Sequence, residues 1–141
     1  MGWTRGVRLA MGLSVCLTAA GCSEELGPES IPTTTASGVV TFSNRPMTQG
    51  WVELQPYDGA LGDPTSARIG PDGSFRFDRA PVGKVVVRLF DVPLEAKGAI
   101  WLLRTRSPIR RETQSPEGPP MRIDIADELY RHQLSQAGAG R

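Results

Sequence analysis

The sequence predicts an all-β fold, a small β-sandwich centred on Ser37 to Leu89. Short runs such as Val52-Glu53-Leu54 and Phe75-Arg76-Phe77 alternate apolar and polar side chains, the period of a half-buried strand. Turn residues punctuate these runs, with 12 Pro and 16 Gly in 141 residues, and no long helical periodicity competes. A chain of this length builds one domain and is too short for two ordinary ones.

The segment before the strands reads as an export signal and a tether. Arg5 and Arg8 precede a 12-residue apolar core, Leu9 to Ala20, which is too short for a stable membrane span and right for a signal peptide. Ala19-Ala20-Gly21 then runs into Cys22, a pattern that resembles the bacterial lipobox, with Ala19 where that motif usually has Leu. The expectation is a lipoprotein signal over residues 1–21 and diacylation of the Cys22 thiol. The alternative is an ordinary signal peptide with Cys22 incidental. Ser23 follows in place of the Asp that retains enterobacterial lipoproteins at the inner membrane, so the expected location is the cell envelope, on the periplasmic face or the outer membrane. Cys16 falls within the leader, so the mature chain would keep Cys22 alone and no intrachain disulfide. Residues 22–35 are polar, with Pro, Gly and a Thr run, and are expected to form a flexible tether.

The elements follow in order. Gly38 to Phe42 is β-branched and aromatic, a first strand, and Asn44-Arg45-Pro46 is a turn in which Asn tolerates positive φ. Gly50 to Gln55 places Val52 and Leu54 inward, with Trp51 on the polar face, and Pro56 ends the strand. Tyr57 to Thr65 is a loop and Ser66 to Ile69 a short strand. Pro71-Asp72-Gly73 is the strongest turn signal in the chain. Ser74 to Asp78 sends Phe75 and Phe77 to the core, and Ala80 to Gly83 turns the chain again. Lys84 to Val92 buries Val85, Val87 and Leu89 on one face, with Val86 and Phe90 on the other. Ala99 to Leu103 is expected as a strand and Arg104 to Pro120 as a loop. Met121 to Ile125 alternates as a last strand. Ala126 to Gln136 suits a short helix with Leu129 and Leu134 partly buried. The domain is thus expected over residues 36–126, with a polar tail over 127–141.

In order and spacing, Gly38-Val39-Val40-Thr41-Phe42, Pro46, Val52-Glu53-Leu54, Pro71-Asp72-Gly73-Ser74-Phe75-Arg76-Phe77 and Pro81-Val82-Gly83-Lys84-Val85-Val86-Val87 resemble the carboxypeptidase regulatory-like domain. That family shows G-x-V, a Gly-Lys-Pro turn, D-G-x-F and P-G-x-Y-x-V. Here Asn44-Arg45-Pro46 replaces Gly-Lys-Pro, and Pro81 to Gly83 holds one extra residue. With the lipobox, the chain looks most like short bacterial (planctomycete-type) lipoproteins carrying this domain. The resemblance covers Ala36 to Phe90, extending towards Ile125. It implies a seven-stranded transthyretin (prealbumin)-like Greek-key β-sandwich outside the cytoplasm, and little about function.

Charge and motifs narrow the function classes. Net charge is +1, and removing residues 1–21 takes Arg5 and Arg8, leaving 14 basic against 15 acidic residues, or −1. Such a chain has no global attraction to nucleic acid. His132 is the single histidine, in a polar tail where solvent exposure is expected, and one His with an acylated Cys cannot hold zinc. Asp58, Asp63, Asp72 and Asp78 lack calcium-loop spacing, and Glu53, Glu95 and Glu112 have no identifiable acid–base partner. Enzymes of the transthyretin-like hydrolase type need several His and Arg and a C-terminal Y-R-G-S-like motif, whereas this sequence ends Ala-Gly-Ala-Gly-Arg. No cofactor and no catalysis are expected. The expected role is a lipid-anchored structural or protein-interaction module of the envelope; the alternative is a carbohydrate- or small-ligand-binding module. Possible contacts are Trp51, Tyr57 and Trp101 as stacking platforms and Arg104, Arg106, Arg110 and Arg111 as anion ligands. The plainer reading of the arginines is a solvated loop balanced by Glu112 and Glu117. A binding surface is expected in the loops Tyr57 to Thr65 and Arg104 to Pro120.

Overall fold

The computed structural model describes residues 30–140. Cys22 and the expected signal segment fall outside the described residues. In chain order the elements are β1 (Thr33–Phe42), β2 (Arg45–Pro46), β3 (Trp51–Pro56), β4 (Thr65–Arg68), β5 (Ser74–Pro81), β6 (Gly83–Phe90), α1 (Lys97–Thr105), β7 (Arg110–Thr113), β8 (Met121–Asp124) and α2 (Ile125–Gly138). The all-β expectation holds, with eight strands in place of the expected seven: two four-stranded sheets enclose one core. In the first sheet, A, β1 is central. It pairs antiparallel with β5 and β2 along its length and parallel with β8. The second sheet, B, runs β4-β3-β6-β7, with all neighbours antiparallel.

The core follows the period-2 pattern of the sequence. Val40, Phe75, Phe77 and Ile123 face inward from sheet A, and Val52, Leu54, Val85, Val87 and Leu89 from sheet B. Phe75 and Phe77 meet edge-on, with ring centroids 5.7 Å apart. β1 begins at Thr33, three residues ahead of the expected domain boundary, because Thr33 and Thr34 pair with Pro81 and Ala80 and the Thr34 hydroxyl donates to the Gln114 carbonyl at 2.8 Å. The turn at Ser43 and Asn44 has positive φ at both residues, 50° and 63°, the conformation that matches strand twist in a two-residue hairpin. The Pro71 to Gly73 turn and the Pro81 to Gly83 segment do not join neighbours in one sheet. Each carries the chain from one sheet to the other, so β4 leads into β5 and β5 into β6 across the core.

Two expected elements change identity. Ala99 to Leu103 is helical, within α1. A short apolar run fits either period. Here the helix buries Leu103 and half-buries Ala99 and Ile100, one turn apart, and leaves Trp101 outside. Within the expected loop Arg104 to Pro120, Arg110 to Thr113 forms β7. Its charged residues hide it in the sequence, since an edge strand needs few apolar side chains and benefits from charge. Leu134 is 54% exposed, so only Leu129 of the two tail leucines packs on the core.

Gly38 lies where three strands of sheet A converge. A Cβ there would sit 2.4 Å from the Met121 carbonyl oxygen and 2.5 Å from Phe75 Cζ. The ring of Phe75 therefore covers a bare backbone, a pairing that lets β8 and β5 both close on β1. Gly38→Ala is expected to cost about 3 kcal/mol, the upper range for overpacking, read as a drop in the urea midpoint.

Asp124 joins the ends of β1, β8 and α2. Its Oδ1 accepts from the Ala126 N–H at 3.0 Å as the N-cap of α2, and from the Ser43 N–H at 3.1 Å. Its Oδ2 accepts from the Asn44 N–H at 2.7 Å and the Thr41 hydroxyl at 2.8 Å. Burial pushes its pKa up, but the bonds from Asn44, Thr41 and Ser43 outweigh that and hold it below the ordinary 3.8. A carboxyl with a depressed folded pKa adds stability above its unfolded value, and that stability is lost as pH falls through the folded value. Asp124→Ala is expected to cost about 2 kcal/mol, the high end for an N-cap, and to flatten the acid limb of a stability–pH curve measured by thermal melts below pH 4.

Candidate functional site

Strand register builds a surface that no single segment contains. Paired residues in an antiparallel ladder project to the same side. On the outer face of sheet B, Arg68, Trp51 and Phe90 therefore stand in one row. Ser66, Glu53 and Arg88 form the next row, then Gln55, Val86 and Arg110. Trp51 is 44% exposed in this open face, beside Arg68 rather than over a sheet edge. Gly50 precedes it with φ of 118°, and a Cβ there would lie 2.7 Å from the Phe90 carbonyl oxygen. That close approach seats the start of β3 against the end of β6.

Cations cover the aromatic rings of this side. The Arg104 guanidinium lies 5.6 Å from the Phe90 ring centroid, reaching from α1 onto the first row. Arg106 lies 5.9 Å from the Trp101 centroid on the same helix. Arg110 lies 5.4 Å from the Tyr57 centroid, at the far end of β3. Four of the seven expected contact residues, Trp51, Tyr57, Arg104 and Arg110, thus fall on this side, at two stations about 20 Å apart along β3, while Trp101 and Arg106 pair on α1. The two tryptophans are separate: Trp51 is in the strand row and Trp101, 56% exposed, on α1.

The seventh residue, Arg111, is committed elsewhere. Its Nη2 donates to Glu128 Oε1 at 2.5 Å and to the Arg122 carbonyl at 3.0 Å. Arg131 adds a contact to the same Glu128 oxygen at 3.5 Å. Glu128 is buried, so Arg111 ties edge strand β7 to α2 and covers the edge of β8. The expected balance by Glu112 and Glu117 is not what forms. Glu117 instead accepts from the hydroxyls of Thr35, at 2.7 Å, and Ser37, at 3.0 Å, which hold its carboxyl below the usual range, with Arg76 nearby. His132 is half-buried, not fully exposed, in a groove with Arg110, Arg111 and Arg131.

Four further acids have structural partners. Asp58 bonds Lys84, whose hydrogen bond and charge hold the Asp58 carboxyl low and raise the lysine. Asp72 accepts from the Ser74 hydroxyl and, at 3.0 Å, from the Ser74 N–H in its turn, and these bonds keep it low. Asp78 pairs with Arg76 at 3.6 Å, and Glu53 with Arg88 at 3.6 Å. Among the described residues no three His, Cys, Asp or Glu side chains are grouped to hold a metal ion. A cleft of about 520 Å³ opens between α2 and the outer face of β1 and β8, but its floor is the satisfied Asp124 network.

Searches against protein-family models, curated proteins and solved structures find no match to this chain. The surface must therefore be read from its own geometry. The Phe90 and Arg68 contributions were not legible from the sequence, because they arise only from strand register. Arg111 and Glu128 make a testable contrast with the outer-face arginines. Removing one partner strands the other charge in a mostly buried site. Glu128→Ala is expected to destabilise by about 3 kcal/mol in chemical denaturation, and Arg111→Ala similarly, with a double-mutant cycle showing strong coupling.

Proposed function

We propose that this chain is a lipid-anchored, non-catalytic binding module of the cell envelope that works through the outer face of sheet B. The observation that carries the reading is the open row Arg68–Trp51–Phe90 with Arg104 laid over Phe90. Trp, Tyr and Arg are the side chains that dominate binding hot spots, and here Trp51, Tyr57 and arginines line one face of sheet B. The partner is an envelope protein or a glycan. The order of turn motifs and the two four-membered sheets support a transthyretin-like Greek-key arrangement of the carboxypeptidase regulatory-like kind.

The anchor rests on Ala-Ala-Gly-Cys after an apolar core. Acyl chains contribute about 0.8 kcal/mol per buried methylene, so two or three chains hold a protein persistently at a membrane. Near-neutral charge argues against a nucleic-acid partner.

Two measurements test the proposal in a bacterial host. Mass spectrometry of the membrane fraction should find a mature N-terminus at an acylated Cys22; an unmodified Cys22 sinks the anchor. A photo-crosslinking residue at position 68 should capture an envelope component, whereas one at position 76, on the outer face of sheet A, should not. Equal capture at both positions removes the outer face of sheet B as the binding surface.

A further inference from the structure

We infer that the outer face of sheet B takes an anionic polysaccharide, with Trp51 stacking on a sugar ring and Arg68, Arg104 and Arg110 binding its carboxylate or sulfate groups. This deepens the binding-face reading above and rests on it.

Charge selects the sign of the ligand. On this face Lys84 is engaged by Asp58, and Arg88 by Glu53. Arg68, Arg104 and Arg110 remain, and among the described residues of the paired rows Glu112 is the acid left without a salt bridge. Among the described residues none of those three arginines has a carboxylate within salt-bridge distance. Guanidinium groups bind carboxylates and sulfates through paired N–H donors, so arginines without a carboxylate partner fit an anion, Arg110 through the donors it does not give to the Ser107 carbonyl.

Wetness selects the class. A dry protein interface places apolar residues at its centre and excludes water there. The centre of this face is the Glu53–Arg88 pair, flanked by Ser66 and Gln55. Arg88 Nε is already buried without a hydrogen-bond partner. Covering the pair with a dry surface would desolvate both charges at considerable cost. A hydrated polysaccharide keeps water at the centre and asks for aromatic contact only at separated points. The two stations supply that: Trp51 between Arg68 and Phe90 at one end, Tyr57 under Arg110 at the other. Their separation of about 20 Å along β3 suits an extended chain better than one small ligand.

The test uses the full chain purified in detergent and measures binding to polygalacturonate, dextran sulfate, neutral dextran and poly-L-glutamate. Binding is expected to polygalacturonate or dextran sulfate, with none to dextran. Trp51→Ala should weaken it about tenfold, as loss of one stacked ring implies, and Arg68→Glu by a similar factor. Thermal melts confirm that both variants fold, and Arg68 is exposed on an edge strand where a change leaves the core intact. Poly-L-glutamate binding as tight as the polysaccharides overturns the inference in favour of a bare acidic partner, while the binding-face reading stands. Binding unchanged in Trp51→Ala overturns it too. No binding to any polymer overturns the polysaccharide, and capture at position 68 in cells then decides the face independently.

Discussion

A single carboxylate, Asp124, fixes how the first and last strands of the sandwich meet. Five N–H and hydroxyl groups from the β1–β2 turn, the end of β1 and the first turn of α2 converge on its two oxygens. Each group alone would leave an orphan donor at a turn or a helix end. Together they align β8 with β1 in parallel, and that register sets where α2 departs. Glu128 then comes within reach of Arg111, which closes the sandwich on the β7 side. The hairpin turn, the helix cap and the edge closure are thus consequences of one residue's hydrogen-bonding capacity.

The arginines divide by what they face. Arg111 meets a buried carboxylate and acts as a structural tie. Arg104, Arg106 and Arg110 lie over aromatic rings, and Arg110 also donates through Nη1 to the Ser107 carbonyl at 2.6 Å. The sequence places all four within eight residues, yet helix α1 and strand β7 send them to different surfaces. Proximity in sequence grouped them as a cluster; side-chain alternation along β7, with Arg110 beside Val86 and Arg111 beside the buried Val85, turns Arg111 away from the outer face.

Much of the core was legible because period-2 alternation is a local property. Val85, Val87, Leu89, Phe75 and Phe77 are buried as their spacing implies. Turn residues were legible for a similar reason: Asn44 takes positive φ and Asp72 folds back on Ser74. What was not legible depends on partners distant in the chain. β7 has no apolar pattern of its own and exists because β6 offers it an edge. The Arg68–Trp51–Phe90 row exists only in the register of three strands. The cap at Asp124 did leave a trace, an Asp followed by Asp127 and Glu128 at the start of a helical run, the usual sign of a helix N-terminus.

The parallel pairing of β8 with β1 has a consequence for how the molecule comes into being. Gly38 and Thr41 must wait for Met121 and Asp124, and the Thr41–Asp124 bond spans 83 residues. Contacts so distant in sequence are closed late and slowly, after the entropy of a long loop has been overcome. Until the last strand arrives, the central strand of sheet A is open along one edge. The native state therefore cannot be completed from the N-terminal portion alone. A chain still being synthesised would stay incompletely folded until its final strand had emerged.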